Sequence, residues 1–412
     1  MTVIAEGAAR PKVGIGAGVV TLLALAVFIN YVDRGNLATA APVMKDELHL
    51  SASQLGLLFS AFFWTYMPSQ ILAGWLAEHI NPYRTLAIGL AIWSLATVAS
   101  GFAGGFVSLI ALRLVLGLGE SAAFPCSSKL LAQHLPAHKL GAANGLIGVG
   151  LALGPAFGTF VGGMAMAAWG WRMVFVLFGL LSLTWLLPWL LATREASARP
   201  HDEAHGTAPA FLTILRTREA WGACLGHFAA NYGFYFVISW LPLYLVKARG
   251  FTVTQMAEIG GMIYLVYAAS SWLTGFVSDL RMQRGESPNA VHKSTIIASH
   301  AGVALAMAGC AFGGAAVSVA CLFLAGAAFG LGTPTIYAIG QTLAGPRAAG
   351  KWVGVQNCVG NIAGIVAPIV TGFVIDTTGQ FFWAFVVSGA VTATGMVAWG
   401  IVIRKVEPVA WA

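Results

Sequence analysis

Four ionised side chains stand in stretches otherwise too apolar to hold them: Asp33 and Arg34, then Arg113 and Glu120. A charge at the centre of a hydrocarbon layer costs about 2.5–3.5 kcal/mol even on a lenient insertion scale, so such groups face a wet cavity or a partner. Arg113 and Glu120 are seven residues apart. On one helix that is two turns, so they share a face about 10 Å apart along the axis. Asp33 and Arg34 are adjacent and point about 100° apart, so both can border one cavity without stacking on each other. Desolvated carboxylates take up protons, whereas a guanidinium stays charged and can hold a carboxylate through two parallel bonds. Proton uptake with anion capture is the chemistry these types suggest. Two fixed ion pairs joining the helices are the competing reading.

Neutral polar and aromatic residues accompany the charges. Tyr31 and Tyr66 fall on the first two apolar runs, and His227, Asn231 and Tyr235 recur every fourth residue, on one helical face. Thr333, Thr335 and Tyr337 follow, then Gln356, Asn357 and Asn361. A hydroxylated anion needs such donors and acceptors around its charged end. Interhelical hydrogen bonding, about 0.6 kcal/mol per bond, is the alternative use of the same residues. His227 and His300 offer further proton sites, although a lone buried histidine is commonly a packing residue. Neither a metal cluster, a nucleophile–base set nor a phosphate loop is evident, so enzymatic chemistry and cofactors are not expected. The five cysteines lack C-x-x-C spacing and read as small apolar residues.

The elements that position these residues follow from composition. Of 412 residues 58% are hydrophobic and 9% charged, against about 25% charged in soluble domains. A spanning helix takes about 20 mainly apolar residues because no water satisfies its backbone. Twelve such spans are predicted, at 14–43, 53–77, 84–104, 106–133, 140–167, 172–193, 220–247, 254–279, 293–314, 316–340, 349–375 and 380–403. The class is therefore an all-α integral membrane protein. The 50 glycines and 16 prolines fit close helix packing in lipid. Met1 to Val13 shows no cleavable signal, and the first span reads as an uncleaved anchor. Of the 22 basic residues, Arg34 and Arg113 lie at mid-depth and Lys45, Arg172, Lys247 and Arg249 on the far side, leaving sixteen on the side of the termini. The positive-inside rule then places both termini in the cytoplasm. This asymmetry accounts for the net charge of +7 without a nucleic-acid partner.

The chain also repeats itself. Ser53-Gln54, Tyr66, Gly74 and Glu78 recur 201 positions later as Thr254-Gln255, Tyr267, Gly275 and Asp279. Gly141, Asn144 and Pro155 recur 213 positions later as Gly354, Asn357 and Pro368. The hydrophilic stretch 194–219 separates a six-helix half at 1–193 from another at 220–412. Two parallel six-helix repeats with a midplane site describe the major facilitator architecture.

Within that superfamily the sequence resembles the anion:cation symporters, which include bacterial sugar-acid transporters and animal sialic acid and vesicular glutamate carriers. The resemblance covers nearly the whole chain. It rests on Asn30-Tyr31-Val32-Asp33-Arg34-Gly35-Asn36, on Phe62-Phe63-Trp64-Thr65-Tyr66 with Gln70 and Gly74, and on Arg113 to Glu120 with Phe124-Pro125. Trp240-Leu241-Pro242-Leu243-Tyr244-Leu245 and Gly360-Asn361-Ile362-Ala363-Gly364 with Pro368 complete it. The resemblance implies symport of a carboxylated solute with protons or sodium, in a multi-pass protein of the bacterial inner membrane acting as a monomer. It implies that Asp33 and Glu120 bind the coupling protons and that Arg34 holds the substrate, with Arg113 positioning or neutralising Glu120. Tyr31, Tyr66 and Asn361 match positions that line the sugar-acid site, and Asn231 and Tyr235 are expected to join them. Two departures stand out. The loop pattern G-x-x-x-D-R-x-G-R is replaced by Gly74 to Arg84 with Glu78-His79, which leaves Glu78, Arg84 and Asp279 as gate candidates and weakens the charge lock at His79. Gly141, Gly150, Gly154-Pro155 and Gly158 fit a glycine–proline motif of proton-coupled exporters, which keeps open a proton antiporter exporting a drug or metabolite. Hexuronate, aldonate, aldarate, tartrate and aromatic acids all remain as substrates.

Overall fold

A computed structural model describes residues 16–50, 52–195, 208–251 and 253–411, and every regular element among them is helical. The leader with Arg10 and Lys12 and linker residues 196–207 with Arg199 lie outside the described residues. The first half comprises α1 (Ala17–Glu47), α2 (Ala52–His79), α3 (Pro82–Ser100), α4 (Phe106–Glu120), α5 (Ala123–His134), α6 (Ala137–Thr184) and α7 (Leu186–Ala192). After the short α8 (Phe211–Leu215) come α9 (Arg218–Leu243), α10 (Val253–Gln283), α11 (Pro288–Phe312), α12 (Ala315–Asn361), α13 (Ala363–Thr378) and α14 (Phe381–Val397). Among the described residues nine helical stretches are long and apolar enough to cross a membrane, and one of them, Ala315–Ile375, is long enough to cross twice. Counting that stretch as two and adding α2 and α9 recovers the twelve predicted spans.

Two continuous helices each carry a turn where the sequence reading separates neighbouring spans. Helix α6 runs through predicted spans 5 and 6, and α12 through spans 10 and 11. Each reverses at one glycine with positive φ, Gly170 at 78° and Gly345 at 63°, a conformation open to glycine at no steric cost. Predicted span 4 is broken after Glu120, because Pro125 brings no N–H to the Ser121 carbonyl and its ring crowds that oxygen. Span 11 is broken after Asn361, whose Nδ2 bonds the Asn357 carbonyl at 2.9 Å and competes with the backbone ladder. Both breaks fall beside residues singled out for chemistry.

The internal repeat is built into the seam between halves. A Cβ on Gly74 would lie 2.6 Å from the Gly350 carbonyl oxygen, and one on Gly275 would lie 2.3 Å from that of Gly141. Helix α2 thus crosses α12, and α10 crosses α6, backbone against backbone. The repeated asparagines add amide bonds: Asn144 Nδ2 donates to Gln341 Oε1 at 2.7 Å and its Oδ1 accepts from Gln341 Nε2 at 3.2 Å, while Asn357 Nδ2 donates to Gln70 Oε1 at 3.3 Å. All of these contacts lie toward the end of the bundle that carries the turns at Asn81, Pro136 and Gly345.

This geometry predicts that Gly275→Val destabilises the protein by about 1–3 kcal/mol, since the Gly141 backbone cannot move aside. The same change at Gly104, where a Cβ meets nothing within 4 Å, should stay within about 0.5 kcal/mol. Thermal unfolding of the two purified variants, followed by intrinsic fluorescence, compares them directly.

Candidate functional site

The break after α4 presents Glu120 to α1, and there it meets Arg34. Arg34 Nε donates to Glu120 Oε2 at 3.0 Å, with the carboxylate fully buried and the arginine side chain 13% exposed. Three rings enclose the guanidinium: Tyr66 at 4.4 Å, Tyr31 at 4.6 Å and Phe62 at 4.7 Å from its carbon to each centroid. Each such contact contributes about 0.5–2 kcal/mol and replaces hydration that the cation has lost. Among the described residues, Arg34 Nη2 and Glu120 Oε1 are buried with no partner at hydrogen-bond distance, and Asn30 is the polar side chain that stands near the carboxylate. The pair therefore holds unused capacity on both sides.

Arg113 does not pair with Glu120, although they share a helix. Its Nε donates to the Leu58 carbonyl at 3.3 Å, and its guanidinium lies 5.3 Å from the Phe62 centroid. Phe62 thus stands between two cations. Arg113 is absent from the cavity lining and acts on Glu120 and Asp33 only through space. Asp33 is buried as well; its Oδ1 accepts from Asn36 Nδ2 at 3.2 Å, and Thr97 of α3 lies close to the same carboxylate.

Between the halves lies a cavity of about 660 Å³, counting the part open to solvent. Tyr31 and Tyr66 line it from the first half, and His227, Asn231, Tyr235 and Asn361 from the second, as the sequence anticipates. Thr333 and Tyr337 line it too, whereas Thr335, Gln356 and Asn357 do not. Thr335 bonds the Leu331 carbonyl at 2.7 Å. Gln356 accepts from the Trp352 indole at 3.0 Å, and Asn357 spans the seam. Tyr235 donates to Asn361 Oδ1 at 2.7 Å, and Asn231 Nδ2 to the Gly360 carbonyl at 3.2 Å. Two ring contacts across the halves bracket the space: Phe124 stacks on Tyr337 at 5.0 Å toward the Asn81 end, and Phe63 meets Tyr235 edge-on at 5.7 Å toward the other.

Arg34 and Glu120 do not themselves line the cavity; Tyr31 and Tyr66 stand between. This revises the expected direct exposure of Arg34. Among the described residues the lining holds no aspartate, glutamate, lysine or arginine. The hydroxyls of Tyr66 and Tyr235 lie within reach of the Arg34 guanidinium. Tyr267 also lines the cavity, bonded to Thr333 Oγ1 at 2.6 Å. Sequence reasoning did not select it, although it is the repeat partner of Tyr66, which was the available signal.

The Asn81 end is closed by carboxylates that accept from backbone N–H groups in the second turn of the facing helical segments, near the positive end of the helix dipole. Glu78 Oε1 accepts from the Gly350 backbone N–H at 2.7 Å, and its repeat partner Asp279 accepts from Gly141 at 3.0 Å and Ala142 at 2.7 Å. The cation on Glu78 is Lys129 of α5, which also donates to the Pro346 carbonyl at 2.6 Å. Arg84, the expected gate cation, is exposed at the start of α3, where its backbone N–H bonds Asn81 Oδ1 at 3.2 Å. His79 stacks on Trp75 at 4.7 Å, within its own helix. Lys129 was missed. It falls four residues inside the end of predicted span 106–133, and that displaced charge was its mark.

A twelve-span bundle with a polar cavity between two halves defines a membrane carrier. Its sequence matches the profile of the Major Facilitator Superfamily over residues 23–368. The chain belongs to that superfamily, within its sugar-acid and organic-anion transporter group, and not to an enzyme family. It is 31% identical over 393 residues to a probable sulfoacetate transporter of Cupriavidus necator, covering 92% of this chain and 91% of that one. To a hexuronate transporter of Bacillus subtilis it is 30% identical over 410 residues, covering 95% and 94%. The fold is also that of the proton:xylose symporter XylE solved with 6-bromo-6-deoxy-D-glucose, with a TM-score of 0.76, 16% identity and coverage of 95% and 96%.

Removing one partner of a buried ion pair leaves an uncompensated charge, at a cost of about 3–5 kcal/mol. Lys129→Met is therefore expected to lower the thermal unfolding midpoint well below wild type. Lys139→Met, at an exposed position, should leave it within about 0.5 kcal/mol of wild type.

Proposed function

We propose that the chain is a proton-coupled symporter that imports an organic anion, a sugar acid or related carboxylate, by alternating access. One observation carries this reading: the guanidinium beside the cavity is already held by a carboxylate. Glu120 and an incoming anion compete for Arg34, so protonating Glu120 frees the cation at the moment the anion needs it. Asp33, buried beside Arg113 and Glu120, takes the second proton. The neutralised carrier can then close over its load, because no lone charge is left in the occluded interior. Loss of protons on the other side returns Glu120 to Arg34 and expels the anion. Tyr31, Tyr66, Asn231, Tyr235 and Asn361 orient the solute, and Arg113 acts on Glu120 through the field alone.

In this reading the protein sits in the bacterial inner membrane as a monomer with both termini cytoplasmic. Residues 1–193 and 220–412 rock as two units joined by 194–219. The sealed Asn81 end is then the cytoplasmic gate, with Glu78 and Asp279 as its latches. The glycines of span 5 support packing over an exporter's direction marker. A Cβ on Gly150 would lie 2.6 Å from the Ala24 carbonyl oxygen, and one on Gly154 2.6 Å from the Tyr31 Cβ.

Proteoliposomes with an inward proton gradient test the reading, with D-glucuronate, D-gluconate, galactarate and sulfoacetate offered in turn. Wild type should accumulate at least one of them. Glu120→Gln should lose gradient-driven accumulation yet keep exchange of internal for external anion; accumulation at the wild-type level would remove Glu120 from coupling. Arg34→Ala should lose binding by at least about tenfold, or about 1.4 kcal/mol. Unchanged affinity would refute the clamp.

A further inference from the structure

The second half contains a buried imidazole that the mechanism above does not use. His300 of α11 lines the cavity and is 1% exposed. Its Nδ1 lies 2.9 Å from the Ile296 carbonyl oxygen and its Nε2 3.2 Å from that of Gly226 on α9. Both partners are carbonyls, which accept and never donate. A neutral imidazole has one N–H and one lone pair, so it satisfies one oxygen and turns its lone pair on the other; an imidazolium satisfies both.

The backbone around it makes room for the ring. Gly395 of α14 faces it, and a Cβ there would fall 2.1 Å from the His300 Cδ2. Thr392 of the same helix and Phe329 of α12 share the cavity wall with it. The titratable group that faces it is His227 of α9, whose Nδ1 has Gln356 Nε2, a donor, at 3.5 Å. That contact suits a neutral His227. Among the described residues no carboxylate, lysine or arginine acts on His300. A proton there is an uncompensated charge in a low-dielectric wall, where only an anion in the cavity can balance it.

We propose that His300 is a further proton-holding residue of the carrier, neutral when the cavity is empty and protonated when the anion is bound. The proton adds to whichever ring nitrogen lacks one and leaves from it when the anion departs. Arg34 and His300 then flank the solute from opposite halves, so the anion itself draws the halves together. This rests on the anion-carrier reading.

Isothermal titration of the purified full-length protein with D-glucuronate and with sulfoacetate is the test, at about pH 7 in two buffers of different ionisation enthalpy. The buffer dependence of the heat counts protons taken up per anion. His300→Gln should take up about one proton fewer than wild type. The Asp33→Asn/Glu120→Gln double variant, in which His300 is intact, should still take up about one. An unchanged count in His300→Gln, or no uptake in the double variant, overturns the inference and leaves the anion carrier standing. Absence of binding heat with both acids in wild type overturns both.

Discussion

A charge inside a low-dielectric bundle must have a counter-charge, and the architecture around this cavity follows from that constraint. Arg34 is the cation nearest the solute space, and it is held by Glu120 at 3.0 Å and by three aromatic faces. None of those four partners comes from the second half. The first half therefore carries its own neutral cluster, and the second contributes hydroxyls, amides and imidazoles to the opposite wall. Coupling in such a design needs no moving charge relay. It needs only that two anions cannot occupy one guanidinium.

The seal at the Asn81 end applies the same economy. Glu78 and Asp279 are acidic groups that meet backbone N–H groups in the second turn of helical segments across the seam, so part of their compensation comes from peptide dipoles and not from side-chain cations. The two copies are unequal. Glu78 adds Lys129, while Asp279 relies on the Gly141 and Ala142 amides. In the proposed cycle, a latch made partly of backbone keeps its charge pattern fixed while the halves move.

Much of this was legible in the sequence. The twelve apolar runs, the repeat, and the pairings of Glu78 with Asp279 and Gly74 with Gly275 depend on composition and periodicity, which one chain displays openly. Tyr31, Tyr66, Asn231, Tyr235 and Asn361 were found because polar groups in apolar runs have few places to go. Partners across space were less visible. Spacing along one helix suggested that Arg113 faces Glu120, yet Arg34 reaches it from another helix, since contacts between spans depend on rotation and depth that helical periodicity leaves open. Lys129 was hidden for the same reason: near a span's end a lysine reads as a solvated boundary, and only the fold places Glu78 against it. The turns at Gly170 and Gly345 fall in the gaps left between predicted spans 5 and 6 and between spans 10 and 11, but the single positive-φ glycine that makes each reversal has no mark of its own in the pattern.

The glycine crossings carry a thermodynamic consequence. At the points where Gly74 meets Gly350 and Gly275 meets Gly141, joining the halves freezes no rotamers, because glycine has none to lose. A leucine-faced seam would forfeit about 0.5–1 kcal/mol of side-chain entropy per residue on each closure. In the proposed alternating-access cycle, a seam that opens and shuts each turn thus avoids an ordering penalty at these points on one stroke and its release on the next. Its two end states can then stay close in free energy over a range of temperatures, which keeps the loaded solute, and not the scaffold, in control of the balance.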